Sequence, residues 1–212
     1  MVLDANEVVR VRDARRRRIR DFIALFNALW YRDFPLTRGY EDDTSRALWT
    51  THIASVVKQC ADLLGLQTRY ETGGRTDAVI QFPGNGEIWA HLEWEWAQAF
   101  LSKINEFSKL SERSNRSQVC YFIGYSESDM LSKTLERIKT DWKRIEKPLI
   151  CFLIVFKRGK KAKHQRIVRH FREFQTYEFK AGQCKLLRKQ PALPWEVKHS
   201  RWEVASSVAQ FS

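Results

Sequence analysis

Apolar residues between positions 7 and 30 recur at three- and four-residue steps, with Ile19, Phe22, Ile23, Phe26, Leu29 and Trp30 falling on one side. That period predicts a helix over residues 7–30, which Pro35 keeps from running on. After a polar loop at 38–43, Asp43 or Thr44 is placed to cap a second helix that runs through residue 64 and stops at Gly65. Its buried stripe would be Leu48, Trp49, Ile53, Val56, Val57, Cys60 and Leu64. The period then shortens to two. Residues 66–71, 75–82 and 87–96 are β-prone runs separated by Gly73-Gly74 and by Pro83-Gly84-Asn85-Gly86, turn sequences that predict an antiparallel meander. In the third run Ile88, Ala90, Leu92, Trp94 and Trp96 alternate with Trp89, His91, Glu93 and Glu95, so both glutamates share a face.

Beyond the meander the pattern returns to helix over 97–112, with Phe100, Ile104, Phe107 and Leu110 inward and Lys103, Glu106 and Lys109 outward. Residues 119–125 read as a strand, 129–146 as a charged helix, and 149–156 as the continuous apolar run of a central strand covered on both faces. The segment 157–174 is basic and reads as partly helical, 177–187 as an edge strand, and the tail carrying Trp195 and Trp202 has no clear period. This order predicts an α/β protein with a mixed central sheet flanked by helices. The expected organisation is a basic helix and loop at 1–43, a core at 44–180, and an edge strand and tail at 181–212 packed on that core.

Composition sharpens the picture. Eight Trp and thirteen Phe in 212 residues supply a sizeable core, and 37 Lys and Arg against 25 Asp and Glu leave a net charge of +12, the balance of a polyanion binder. No apolar run approaches the roughly 20 residues that span a bilayer, and Asp4 and Glu7 stand where a secretory leader would be basic and then apolar. The expectation is a cytoplasmic protein with no membrane partner. Cys60, Cys120, Cys151 and Cys184 are scattered without a CxxC pair, which predicts reduced core thiols and no structural zinc.

The candidate chemistry lies on the meander. Asp77 on the second strand and Glu93 and Glu95 on the third offer three carboxylates on adjacent strands, which lie roughly 4.8 Å apart. Hard divalent cations take such oxygen ligands, and a cation so held polarises a phosphoryl group and activates water. The plain alternative is a solvated strand face, with the two glutamates paired to basic side chains and Asp77 following a turn. His91 shares that face and reads first as a packed strand histidine.

At Arg75-Thr76-Asp77-Ala78-Val79-Ile80 and Leu92-Glu93-Trp94-Glu95-Trp96 the chain resembles the PD-(D/E)XK nuclease superfamily. Its core of helix, strand hairpin, helix and strand carries an Asp on the second strand and a D/E-X-K tripeptide on the third. The resemblance covers residues 44–156 in element order and implies a restriction-endonuclease-like αβββαβ core. Two positions depart from it: Thr76 stands where Pro is usual, and Glu95 replaces the lysine, as in the E-X-E sites of some restriction endonucleases. The resemblance implies that Asp77 and Glu93 bind Mg²⁺ or Mn²⁺ together with the Trp94 carbonyl. It leaves the water-activating group open between Glu95 and a migrated lysine at Lys103, for which a solvated helix position is the alternative. The acid that the superfamily often draws from its first core helix stays unassigned.

Two basic clusters complete the reading. Arg15, Arg16, Arg17 and Arg18 lie on the first helix with Arg10, Arg12 and Arg20, and Lys160, Lys161, Lys163 and Arg166 follow the apolar strand within a run that also holds Lys157, Arg158, Arg169 and Arg172. As groups they suit phosphate contacts, which position nucleic acid without reading its sequence. The resulting expectation is a metal-dependent endonuclease acting on DNA, of the restriction or mobile-element kind, with a homodimer as the arrangement suited to double-strand breaks. Its rivals are a nuclease-like protein that only binds nucleic acid and a module that binds another anionic partner through the basic helices.

Overall fold

The computed structural model describes residues 5–38, 45–72, 76–99, 101, 105–159 and 169–201. A 28-residue helix α1 (Ala5–Arg32) and α2 (Arg46–Leu63) lead into β1 (Gln67–Thr72), β2 (Thr76–Gln81) and β3 (Ile88–Gln98). Then follow α3 (Glu106–Arg113), β4 (Val119–Glu127), α4 (Leu131–Asp141), β5 (Leu149–Arg158), β6 (Arg169–Lys180) and β7 (Gln183–Pro191). All seven strands form one sheet in sequence order. The pairs β1–β2 and β2–β3 are antiparallel, β3–β4 and β4–β5 parallel, and β5–β6 and β6–β7 antiparallel. The expected mixed sheet flanked by helices is therefore present, with α3 and α4 as the crossovers that parallel neighbours require.

The helices divide between the two faces because each strand offers two apolar rows. On one face α1 and α2 bury Phe22, Phe26, Trp30, Trp49, Ile53 and Val56 against strand residues such as Leu92, Tyr121, Phe152 and Phe174. Ring centroids lie 4.1 Å apart for Phe26–Phe152 and 4.5 Å for Trp30–Phe174. On the other face α3 and α4 bury Phe107, Leu110, Ile138 and Trp142 over Cys120, Phe122, Cys151 and Leu153. The predicted central strand, β5, has all eight residues from Leu149 to Phe156 buried. Polar contacts fix α1 along the sheet. Asn27 donates to the Thr176 hydroxyl at 3.2 Å, the Trp30 indole to the Ala192 carbonyl at 2.9 Å, and Tyr31 Oη to the Pro191 carbonyl at 2.6 Å.

Several sequence expectations need correction. The cap of α2 is Ser45, whose hydroxyl accepts the Leu48 N–H; Asp43 and Thr44 lie outside the described residues. A bulge opposite Ile80 and Gln81 leaves Trp89 unpaired with β2, and its ring packs on the α1 face, 5.5 Å from Phe22, away from the row of His91 and Glu93. The helix expected from residue 97 is strand as far as Gln98, and α3 begins only at Glu106; Phe100, Lys103 and Ile104 lie outside the described residues. The charged helix is a short 3₁₀ turn followed by α4, ending where the buried Trp142 donates its indole N–H to the Lys147 carbonyl. Of the basic stretch, Lys157, Arg158 and the residues from Arg169 onward are strand, and residues 160–168 lie outside the described residues. The expected edge strand is divided by Ala181 and Gly182, at φ 48° and 74°, whose two successive positive φ angles suit a tight hairpin turn. Three cysteines are buried as expected, but Cys184 is exposed on β7. Among the described residues no helix is long and apolar enough to cross a membrane.

Candidate acidic site on β2, β3 and α3

The β2–β3 ladder pairs Val79 with His91 and Ala78 with Leu92, so the next step brings Asp77 opposite Glu93. There the Asp77 carboxylate accepts the Trp94 N–H at 2.7 Å and also hydrogen-bonds to the Glu93 carboxyl. Glu93 is almost wholly buried, with 1% of its side chain exposed. The face above it is covered by α3. Glu106, Lys109 and Arg113 follow one another at three- and four-residue steps, which lines them along one flank of the helix while Phe107 and Leu110 enter the core. Lys109 Nζ lies 3.6 Å from Glu93 Oε2 and 3.4 Å from Glu106 Oε1. Arg113 Nη1 lies 3.4 Å from Glu93 Oε1 and donates to the buried hydroxyl of Thr76. Thr76, the residue before Asp77, is thus the one that holds Arg113.

Burial, and then the charge of Asp77, push the Glu93 carboxyl up to about 8, against the pull of Lys109 and Arg113. Burial also raises Asp77, opposed by the Trp94 N–H and Lys109. Desolvation lowers Lys109, but Glu93 and Glu106 outweigh it and the ammonium is held above its ordinary value. Two like charges this close disfavour double ionisation, so near neutral pH the carboxyl pair keeps a proton unless a further cation replaces it. Glu106 adds a buried oxygen, Oε2, with no hydrogen-bond partner. Two facing carboxylates suit Mg²⁺ or Mn²⁺, which commonly bind through one or two carboxylates and keep waters or substrate oxygens in the other positions.

The remaining sequence candidates divide. Glu95 does not converge with the pair: a bulge between Glu95 and Gln98 frees the Ala97 N–H, and the Glu95 carboxylate accepts it at 2.8 Å. Among the described residues no three His, Cys, Asp or Glu side chains form a metal-holding group, so the expected trio of Asp77, Glu93 and Glu95 reduces to a pair. Lys103 lies outside the described residues, and the lysine beside the acids is Lys109, which the sequence reading placed outward with Glu106. The spacing from Glu106 to Arg113 was the available signal for this flank. His91 is 5% exposed and held to about 4 by burial and by Arg113 and Arg116, hence neutral at pH 7, the packed strand histidine expected.

The α1 arginines lie on the other side of the sheet. Arg15 donates to the Gln118 carbonyl, and the Arg18 guanidinium sits 4.9 Å over the Phe82 ring. Arg16 and Arg17 are exposed and border a shallow concavity with Asp13 and Arg20. Lys160, Lys161, Lys163 and Arg166 lie outside the described residues.

No family model matches the chain, and no curated protein matches it. Several solved structures share partial similarity. The YaeQ protein from Xanthomonas axonopodis pv. citri aligns at 11% identity and a TM-score of 0.35, over 74% of this chain and 86% of that one. A carbon-nitrogen hydrolase from Helicobacter pylori G27 aligns at 9% identity and a TM-score of 0.35, over 83% and 82%.

Proposed function

We propose that this protein is a divalent-metal-dependent endonuclease acting on DNA, with Asp77 and Glu93 as the carboxylate ligands and Lys109 as the cation that serves the reacting phosphate. The observation that carries the reading is the pairing of half-buried Asp77 with buried Glu93, with Lys109 Nζ 3.6 Å from Glu93. Lys109 stands on α3, outside the D/E-X-K tripeptide. In this reading the PD-(D/E)XK resemblance holds with the lysine supplied from the crossover helix. Bound at the pair, the divalent ion supplies Lewis-acid activation of phosphate and water. The chain's own groups do the rest. The Trp94 N–H holds Asp77 in place, the Lys109 ammonium orients water and offsets charge building on the phosphate, and Glu106 Oε2 is the free acceptor for the water's proton. Glu95 has a strand-capping part instead.

One observation favours a second reading, a nuclease-like protein that binds without cutting: Lys109 and Arg113 already pair with Glu93. Supercoiled plasmid and RNA, each incubated with Mg²⁺, with Mn²⁺ and with chelator, separate the two. The enzyme reading expects metal-dependent nicking that falls at least a hundredfold in Glu93→Gln and in Lys109→Met and persists in Glu95→Gln. Retarded migration without cleavage under every metal condition would decide for the binder.

A further inference from the structure

The face that carries the acid pair has a second feature at its far end. Where β5 and β6 extend past the start of α4, the surface opens into a cavity of about 650 Å³. Its apolar floor is Val155 and Leu131, and its rim carries Lys157, Arg172 and Lys189 with Glu173 as the one acid. The register places these groups. Val155 pairs with Glu173, and Gln175 with Lys189, in the rows that continue the α3 and α4 face of the sheet. Glu173 is neutralised where it stands: Lys189 Nζ is 2.8 Å from one oxygen and the Gln175 amide donates to the other. Lys157 and Arg172 are exposed, and among the described residues neither side chain has an ion-pair or hydrogen-bond partner. The cavity therefore presents two uncompensated positive charges above an apolar floor, a chemistry suited to an anion whose bulk lies outside.

We propose that this cavity anchors a backbone phosphate of a polynucleotide that runs along the sheet face carrying Asp77 and Glu93. The inference rests on the nucleic-acid part of the proposed function but not on its catalytic part. Glu93 is level with Phe122 and Cys151, and Val155 lies two strands across and four residues further along. The two points are about 16 Å apart from strand spacing and rise, roughly five base-pair steps of a duplex at 3.4 Å per step. A single molecule can span both. The α1 arginines lie on the opposite face, so Lys157 and Arg172 are the described unpaired cations that share the face of the acid pair with a concave seat.

The test is the salt dependence of binding by the full-length chain in chelator, where no cutting occurs. The probes are a labelled duplex of about 20 base pairs, the corresponding single strand, and inorganic phosphate as competitor. Losing two phosphate contacts lowers the log–log salt slope on duplex by about 1.8. Between 50 and 200 mM salt, wild-type affinity should then fall about tenfold more than that of Lys157→Gln/Arg172→Gln. The charge-preserving exchange Lys157→Arg/Arg172→Lys should keep the wild-type slope. So should Lys180→Gln/Lys185→Gln, which removes as much charge at the opposite, exposed end of the β6–β7 hairpin. All the side chains involved are exposed, and melting curves check that each variant folds. An unchanged slope in the cavity variant, an equal loss in the hairpin variant, or no polynucleotide binding by the wild type overturns the proposal. So does millimolar phosphate binding at Lys157 and Arg172 without any effect of these residues on polynucleotide. A lowered slope in a protein that never cleaves leaves the anchor standing and removes the nuclease; cleavage with an unchanged slope does the reverse.

Discussion

Replacing Glu93 by Gln keeps the size of a buried side chain and removes its charge, so its effect on stability should depend on pH in a direction that can be worked out. The carboxyl is lifted from 4.5 to about 8 by burial and by Asp77. Between those values the folded chain binds a proton that the unfolded chain has released, so wild-type stability falls as pH rises through this window. Below pH 4.5 the group is protonated in both states and contributes nothing; above about 8 the full loss is present. The gap from 4.5 to about 8, at about 1.36 kcal/mol per pH unit, makes about 5 kcal/mol for the linked Asp77–Glu93 pair. For a chain of this size that is on the order of 10 °C in Tm. The readout is the gap between metal-free wild-type and Glu93→Gln melting temperatures, followed from pH 5 to pH 9, which cancels groups common to both. The variant should gain on the wild type as pH rises. Mg²⁺ or Mn²⁺ at a hundred times its dissociation constant should then return about 2.7 kcal/mol to the wild type at pH 8 and little to the variant. Parallel melting curves across the range, or equal stabilisation of both proteins by metal, would refute the charge reasoning.

Two further predictions follow from neighbouring contacts. Arg113→Gln removes a cation 3.4 Å from Glu93, and Mn²⁺ affinity measured calorimetrically without DNA should rise about tenfold or more, in line with the roughly 1.5–3 kcal/mol of a charged hydrogen bond; unchanged affinity would mean that the arginine and the ion do not compete. Gly124→Ala places a methyl 2.4 Å from Cε1 of the fully buried Phe122, itself packed 4.5 Å from Phe107, so chemical denaturation should show a loss of about 1–3 kcal/mol.

The parts of the fold that periodicity controls were readable in the chain. Ile19, Phe22, Phe26, Leu29 and Trp30 are buried on α1 as their spacing predicts, and the uninterrupted apolar run of β5 is covered on both faces. The co-facial placement of Asp77 and Glu93 was also legible, because strand alternation and a short hairpin leave little freedom in register. What alternation cannot report is where it breaks. One bulge turns Trp89 to the opposite face, and another diverts Glu95 to the Ala97 N–H, since the extra residue leaves a backbone group that the nearest carboxylate satisfies. The turn at Ala181 and Gly182 escaped for a related reason: alanine seldom adopts a positive φ, so nothing in the sequence advertised it. Lys109 and Arg113 were hidden by tertiary placement. Polar helix positions read as solvent-facing until the helix is set over a buried acid, and only then does their spacing become a site.

Charge balance ties these displacements together. With every group ionised, Asp77, Glu93 and Glu106 carry one negative charge more than Lys109 and Arg113 supply. A proton on the carboxyl pair closes that deficit in the metal-free protein. A divalent ion would more than close it, which should release the shared proton and weaken the hold of Glu93 on Arg113, leaving the arginine attracted to any phosphate that approaches. Metal, proton and phosphate would then be linked through one carboxylate. Ion affinity should rise with pH up to about 8, where the pair has lost its proton, and should rise again when nucleic acid is present. In the Arg113→Gln protein the dependence on pH should persist while the gain from nucleic acid shrinks, because only the first depends on the carboxyl proton. Loss of both together would mean that the arginine merely supports the fold of the site.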